Sequence, residues 1–114
     1  MQQPASYDLI MYQGASWDYQ FTWSISGSPV NLTGYTARMQ VRPSYISDSV
    51  ILSLTNGSGI TLGGAAGTIA LAASASVSAA IEPRAYVYDL ELVNGSQVTR
   101  LLEGKFTATP EVTR

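Results

Sequence analysis

Cysteine and histidine are both absent from this chain. The first absence excludes disulfides and thiolate metal sites, and it leaves the redox compartment unread. The second removes the commonest general base and the commonest zinc ligand. Lysine occurs once, as Lys105, and no basic run exists to neutralise phosphates, so nucleic acid is not an expected partner. Charged residues make up 12% of the sequence, about half the usual share. A monomer's surface ordinarily carries more charge than that, which points to an outer surface partly covered by neighbouring subunits. No stretch approaches the roughly eighteen apolar residues of a membrane span. Met1-Gln2-Gln3-Pro4-Ala5-Ser6 has neither the basic start nor the apolar run of a signal peptide. A soluble protein made in the cytoplasm, with no membrane contact, is the expectation.

What is present is alternation. Trp17, Tyr19, Phe21, Trp23 and Ile25 share one parity, while Ser16, Asp18, Gln20, Thr22 and Ser24 share the other, which predicts a strand with one face buried. Tyr35, Ala37, Met39 and Val41 alternate with Thr36, Arg38, Gln40 and Arg42 in the same way. Tyr7 to Tyr12 reads as an earlier strand. Ser49 to Leu54, Ile60 to Leu62 and Gly67 to Leu71 read as short later ones, separated by Asn56-Gly57-Ser58-Gly59 and Gly63-Gly64. Ala72 to Ile81 is the one candidate helical turn. Ala85 to Val93 and Gln97 to Thr107 form a hairpin around Asn94-Gly95-Ser96, where Asn-Gly suits positive φ. At 114 residues, with no internal repeat, one domain with one core is expected. A chain this long needs no metal or cofactor to be stable.

Motifs that could carry chemistry read more simply as structure. Gly57-Ser58-Gly59-Ile60-Thr61-Leu62-Gly63-Gly64 lacks the Gly-Lys-Ser/Thr ending of a phosphate cradle and leads into a strand. Three Asn-x-Ser/Thr patterns, at Asn31, Asn56 and Asn94, fall in polar turns, and no signal peptide delivers them for glycosylation. Asp89 and Glu91 share a strand face, but a flat solvent-facing sheet lacks the burial that tunes an acid–base pair. Arg38 and Arg42 are their natural partners across a strand pair. The aromatic stripe from Trp17 to Trp23 fits a core face better than a sugar-stacking groove. Tyr12, Tyr45 and Tyr86, near strand or loop ends, are better candidates for contact residues.

Asn31-Leu32-Thr33-Gly34-Tyr35-Thr36-Ala37-Arg38-Met39-Gln40-Val41-Arg42 resembles a stretch of small immunoglobulin-like proteins encoded in tailed-bacteriophage genomes, among them the N-terminal domain of upper baseplate proteins. Gln13-Gly14-Ala15-Ser16-Trp17 is similar to their opening, and Tyr88-Asp89-Leu90-Glu91-Leu92 to one of their strands. The likeness runs from about Tyr7 to Val112. Asn31 stands where those proteins usually carry Asp, which keeps the turn but removes a charge. The receptor-binding arm that follows this domain in baseplate proteins has no counterpart in these residues, so its function is not implied.

Alternation and resemblance together predict an all-β chain: one immunoglobulin-like antiparallel β-sandwich of about seven to eight strands, with at most one short helical turn. Trp17, Phe21, Trp23, Tyr35, Met39, Leu90 and Leu92 should form its core. Residues 1–6 and 109–114 should be short terminal arms, making the main contacts together with an edge strand. The resemblance implies a non-enzymatic virion protein, a tail, baseplate or capsid-decoration subunit. Its partners would be other virion proteins, copies of itself included, and it would use no catalytic residue, cofactor, metal or small-molecule substrate. The alternative is a carbohydrate-binding module recognising the host surface. Candidate interface residues are Tyr12, Arg38, Arg42, Tyr45, Tyr86, Asp89, Glu91 and Arg114.

Overall fold

Alternating apolar residues set the strands, and their pairing divides them between two sheets. In a computed structural model that describes residues 5–112, the chain opens with β1 (Ala5–Ser6), β2 (Leu9–Tyr12) and β3 (Trp17–Thr22). A small hairpin of β4 (Ser24–Ile25) and β5 (Ser28–Pro29) precedes β6 (Thr36–Arg42), β7 (Leu52–Asn56), β8 (Gly59–Leu62) and β9 (Thr68–Ala73). The chain ends with β10 (Ala85–Asn94) and β11 (Gln97–Thr109). One layer is β3-β9-β8 and the other is β7-β6-β10-β11, with β2 lying parallel along β11. These match strands B-E-D and C′-C-F-G of an immunoglobulin-like sandwich, β2 serving as strand A.

Eight strands carry the layers, as expected, but their pairing is not wholly antiparallel. β1 and β2 run parallel to β11, and β7 meets β8 in parallel at Thr55 and Asn56. Two short helical turns occur in place of one. A 3₁₀ turn at Gly64–Ala66 joins β8 to β9, and α1 (Ala75–Ala79) falls inside the expected helical stretch.

The final hairpin reverses one residue later than expected. Asn94 still pairs with Gln97, so Gly95 and Ser96 form the loop, and Gly95 takes φ 62° at its first position. Glycine at that position is the signature of the II′ turn that fits strand twist. A bulge follows between Leu90 and Glu91: Leu90 pairs with Leu102 but Glu91 with Arg100. Leu101 is the extra residue, and the break in alternation buries both Leu101 and Leu102.

The terminal arms are shorter than expected. Ala5 and Ser6 pair with Leu102 and Glu103, while Ala108 and Thr109 pair with Met11 and Tyr12. Their ordering is backbone pairing within the domain, so these residues do not wait for a neighbour. Residues 1–4 and 113–114 lie outside the described residues. Between β1 and β2 the backbone crosses close over Gly104, where a Cβ would stand 2.5 Å from the carbonyl oxygen of Tyr7. The Asp8 carboxylate accepts the Lys105 backbone N–H at that crossing.

Trp17, Trp23, Met39, Leu90 and Leu92 are buried as expected, alongside Leu9, Met11, Ile60, Ile69 and Phe106. Phe21 and Tyr35 only partly reach the core. Ile25 departs from its parity and is 57% exposed, because the strand breaks at Trp23 and Ser26-Gly27 reverses the chain, both at positive φ. Trp23 packs edge-on against Tyr35, and its indole N–H has no hydrogen-bond partner. Its contribution is therefore packing. Trp23→Ala should lower unfolding free energy by about 3–5 kcal/mol in a denaturant titration; an unchanged midpoint would place the indole outside the core.

Candidate functional site

The outer face of the β7-β6-β10-β11 layer gathers most of the chain's basic charge. Strand register places it: Glu91 lies between Arg38 on β6 and Arg100 on β11, and Asp89 lies between Gln40 and Glu103. Arg42 and Lys105 flank Val87 in the next row. Arg38, Arg42, Arg100 and Lys105 are thus four of the six basic residues, and Asp89, Glu91 and Glu103 three of the eight acidic ones.

The expected pairing of Arg38 with this face is present: its Nε donates to Glu91 Oε1 at 2.7 Å. Arg42 instead donates to the backbone carbonyl of Ser47 and to Gln40 Oε1, holding the loop after β6. Asp89 pairs with Arg100 at 3.5 Å, and Arg100 also reaches Glu103 at 3.6 Å. Asp89 and Glu103 are direct cross-strand partners with like charge, an unfavourable arrangement that Arg100 offsets.

Arg100 and Glu103 escaped sequence reading because the Leu101 bulge shifts the parity of β11. The only available signal was their i,i+3 spacing.

Tyr45 adjoins the same face and is 68% exposed, lining a shallow depression with Gln40, Arg42 and Asp89. A second depression lies beside Arg38, Ser53 and Glu91. Tyr12 is also exposed but sits on β2, apart from these residues. Tyr86 is not a contact residue. It is buried, and its hydroxyl donates to the backbone carbonyl of Glu82, four residues upstream at the start of β10. This is the tyrosine corner of immunoglobulin-like sandwiches, and burial raises its hydroxyl pKa. Its shared parity with Leu90 and Leu92 was the sequence signal for burial. Arg114 lies outside the described residues.

The resemblance motifs turn out to hold the fold. Gln13 donates to the carbonyls of Ala79 and Ile81 and accepts the Glu111 N–H. Ser78, fully buried, accepts the Gly14 N–H and donates to the Ala15 carbonyl. Gly14 takes φ 84°, and a Cβ there would meet the Glu111 carboxylate. Asn31 accepts the Thr33 N–H in a local turn. Tyr88 donates to the Tyr7 carbonyl, and burial pushes its phenol pKa upward.

Among the described residues, no cluster of three or more acidic side chains is placed to hold a metal. Nor is any helix among those residues long and apolar enough to cross a membrane.

The strand order, the corner tyrosine and the face just described define an immunoglobulin-like β-sandwich with one charged, open sheet surface. No family model matches the chain, and no curated protein matches it significantly. Among solved structures it is similar to the extracellular domain of the voltage-gated sodium channel beta4 subunit, whose parallel homodimers are described as explaining its role in cell–cell adhesion. That chain is 11% identical, with a TM-score of 0.42 over 98% of both chains. Strand topology, and not this likeness, assigns the fold.

Two outcomes test the electrostatics of the face. The Arg38–Glu91 pair is exposed on the arginine side, and exposed pairs are worth about 0–1 kcal/mol, so Arg38→Ala should fold with nearly unchanged stability by chemical denaturation. Asp89 behaves differently. Burial, and after it the Glu91 carboxylate, raises its pKa above the ordinary value, with Arg100 opposing them. The folded state therefore holds the Asp89 proton more tightly than the unfolded chain. Its contribution to stability falls as pH rises from the ordinary aspartate value through the raised one. Asp89→Asn should remove that decline and melt no lower than wild type at pH 7. A lower melting temperature at pH 7 would show that the Arg100 pair outweighs burial.

Proposed function

We propose that the chain is a non-enzymatic structural subunit of a bacteriophage particle, at the tail or baseplate or on the capsid as a cement subunit, acting through protein–protein contacts. The observation that carries this reading is the segregation of charge. Seven charged side chains occupy one sheet face, whereas Ser49 through Ile81, which includes β7, β8, β9 and α1, contains no charged residue. A charge-free surface of Ser, Thr, Ala and Gly loses little on desolvation, and a charged face beside it fixes orientation and rejects wrong partners. The resemblance to phage immunoglobulin-like proteins supplies the setting, and copies of the chain itself are among its partners.

Catalysis forms no part of this reading. Asp89 and Glu91 are engaged by Arg100 and Arg38 on an open face, so neither stands free as a base. Carbohydrate binding loses its best support, because Trp17 and Trp23 are buried. Tyr19 and Phe21 stack on each other, with Tyr7 edge-on to both.

The test uses purified virions of the phage whose genome encodes the chain. The chain is expected at fixed copy number by quantitative mass spectrometry and at a symmetric position by cryo-electron microscopy. Arg38→Glu/Arg100→Glu should fold yet fail to incorporate. Virions lacking the chain would overturn the proposal, and normal incorporation of the double variant would remove the charged face from the contact.

A further inference from the structure

Asn56-Gly57-Ser58 and Asn94-Gly95-Ser96 are the same tripeptide at two places in the chain. An asparagine followed by glycine can undergo attack of the next backbone nitrogen on its own side-chain amide, because glycine has no Cβ to shield that nitrogen. Both asparagines and both glycines are exposed. Neither glycine has any atom within 4 Å of where a Cβ would stand. In sequence, exposure and steric access the two sites are equal.

Hydrogen bonding separates them. The Gly57 N–H donates to the Ile60 carbonyl at 2.9 Å, and Thr55 and Ser58 exchange both backbone bonds around it at 3.0 and 2.8 Å. That turn also joins the two layers, since β7 pairs with β6 and β8 with β9. Freeing the Gly57 nitrogen therefore means opening a link of the sandwich. The Gly95 N–H donates to no backbone carbonyl among the described residues. Asn94 and Gln97 are the last rung of the β10–β11 ladder, with only Gly95 and Ser96 beyond them. Terminal rungs open at the lowest free energy in a fold. Asn31, the remaining Asn-x-Ser/Thr site, is closed as well. Its side chain accepts the Thr33 N–H, and the Leu32 N–H donates to the Gly64 carbonyl.

We infer that Asn94 is a self-modifying site, converted in the folded protein to aspartate and isoaspartate, while Asn56 is held intact by the fold. The Gly95 nitrogen gives up its proton and bonds to Asn94 Cγ. The Cγ–Nδ2 bond breaks, and ammonia leaves with that proton. Water then opens the cyclic imide, at the side-chain carbonyl to give aspartate or at the backbone carbonyl to give isoaspartate. The balance is one water consumed and one ammonia released, with no redox change and no other reactant. Each conversion adds a negative charge to an end of the sandwich that has none. Leu92 to Thr99, Tyr19 to Ala37 and Ser49 to Ile81 are all free of charged residues. Their turns meet at that end: Val93 pairs with Thr36, and Leu32 with the Gly64 carbonyl. Isoaspartate also lengthens the main chain by a methylene beside a two-residue turn whose register depends on its length, so it should loosen the hairpin tip. The inference concerns the isolated chain and stands apart from the particle reading.

The identical tripeptides supply their own control. Full-length protein is held folded at mildly alkaline pH, and a parallel sample is held in denaturant. Peptide mapping by mass spectrometry, with fragmentation that distinguishes aspartate from isoaspartate, follows both asparagines. In the folded protein Asn94 should convert at least about tenfold faster than Asn56, the factor set by breaking one backbone hydrogen bond at the nucleophile. In denaturant the two should convert at equal rates. Asn94→Gln should melt as wild type does and abolish the acidic species that wild type forms on anion exchange. If that variant fails to fold, the comparison of folded and denatured wild type still decides. Equal rates in the folded protein, or an Asn94 that stays intact there while the denatured chain converts, would overturn the inference. A rate difference that persists in denaturant would do the same, by tracing the selectivity to flanking sequence.

Discussion

Trp17 donates its indole N–H to the Ile10 carbonyl at 2.9 Å, and that contact closes the margin where the two sheets share no ladder. At the opposite margin the backbone crosses between layers through the tight turn after β7, with Thr55 and Ser58 exchanging both hydrogen bonds. A sandwich joined by backbone on one side alone could splay on the other. Here aromatic side chains of β3 perform the closure: Trp17 packs its ring on Phe106 of β11, Tyr19 meets the Ile10 backbone, and Phe21 carries Tyr7 edge-on. The β3 stripe therefore serves the core and the seam at once. Its partial exposure at Tyr19 and Phe21 is what a seam requires, since those rings bridge two strands and do not lie between two sheets.

Closure of that margin decides what the rest of the surface can do. With β2 and β3 sealed against each other, the layers are linked on the other side through β7, which pairs with β6 along Leu52–Thr55 and with β8 at Thr55 and Asn56. The charges sit on the face that β7 borders, in rows fixed by register, and they largely neutralise one another. Arg100 is the pivot, because it alone among the close ion pairs touches two carboxylates. The Leu101 bulge makes this possible by turning both Arg100 and Glu103 outward across three positions, while Leu101 and Leu102 both face the core.

Where alternation is local and unbroken, the sequence reads correctly. Met39, Leu90 and Leu92 are buried and Arg38 meets Glu91, because each follows from parity and one strand pairing. Three features escaped for separate physical reasons. Tyr86 looks amphipathic at a strand end, yet the corner geometry buries it and gives its hydroxyl a backbone acceptor. Pairing of Ala5–Ser6 with Leu102–Glu103 spans nearly the whole chain, and no local pattern encodes so remote a parallel contact. The Asp89–Arg100–Glu103 group depends on a bulge, and one extra residue inverts every later assignment on that strand.

The buried and turn-forming residues of the motifs that carry the family resemblance, with the groups they meet, are consumed by the fold. Both ends of the Gln13 amide are hydrogen-bonded, Gly14 leaves no room for a side chain, the Ser78 hydroxyl is fully engaged, and the Tyr86 and Tyr88 hydroxyls donate to backbone. Each of these groups is committed to a contact inside the domain. A sequence can preserve all of them and still differ in what it binds, which is why such a resemblance specifies architecture more firmly than activity. Freedom to specify a partner lies with side chains the fold does not need, above all the charged rows on β6, β10 and β11.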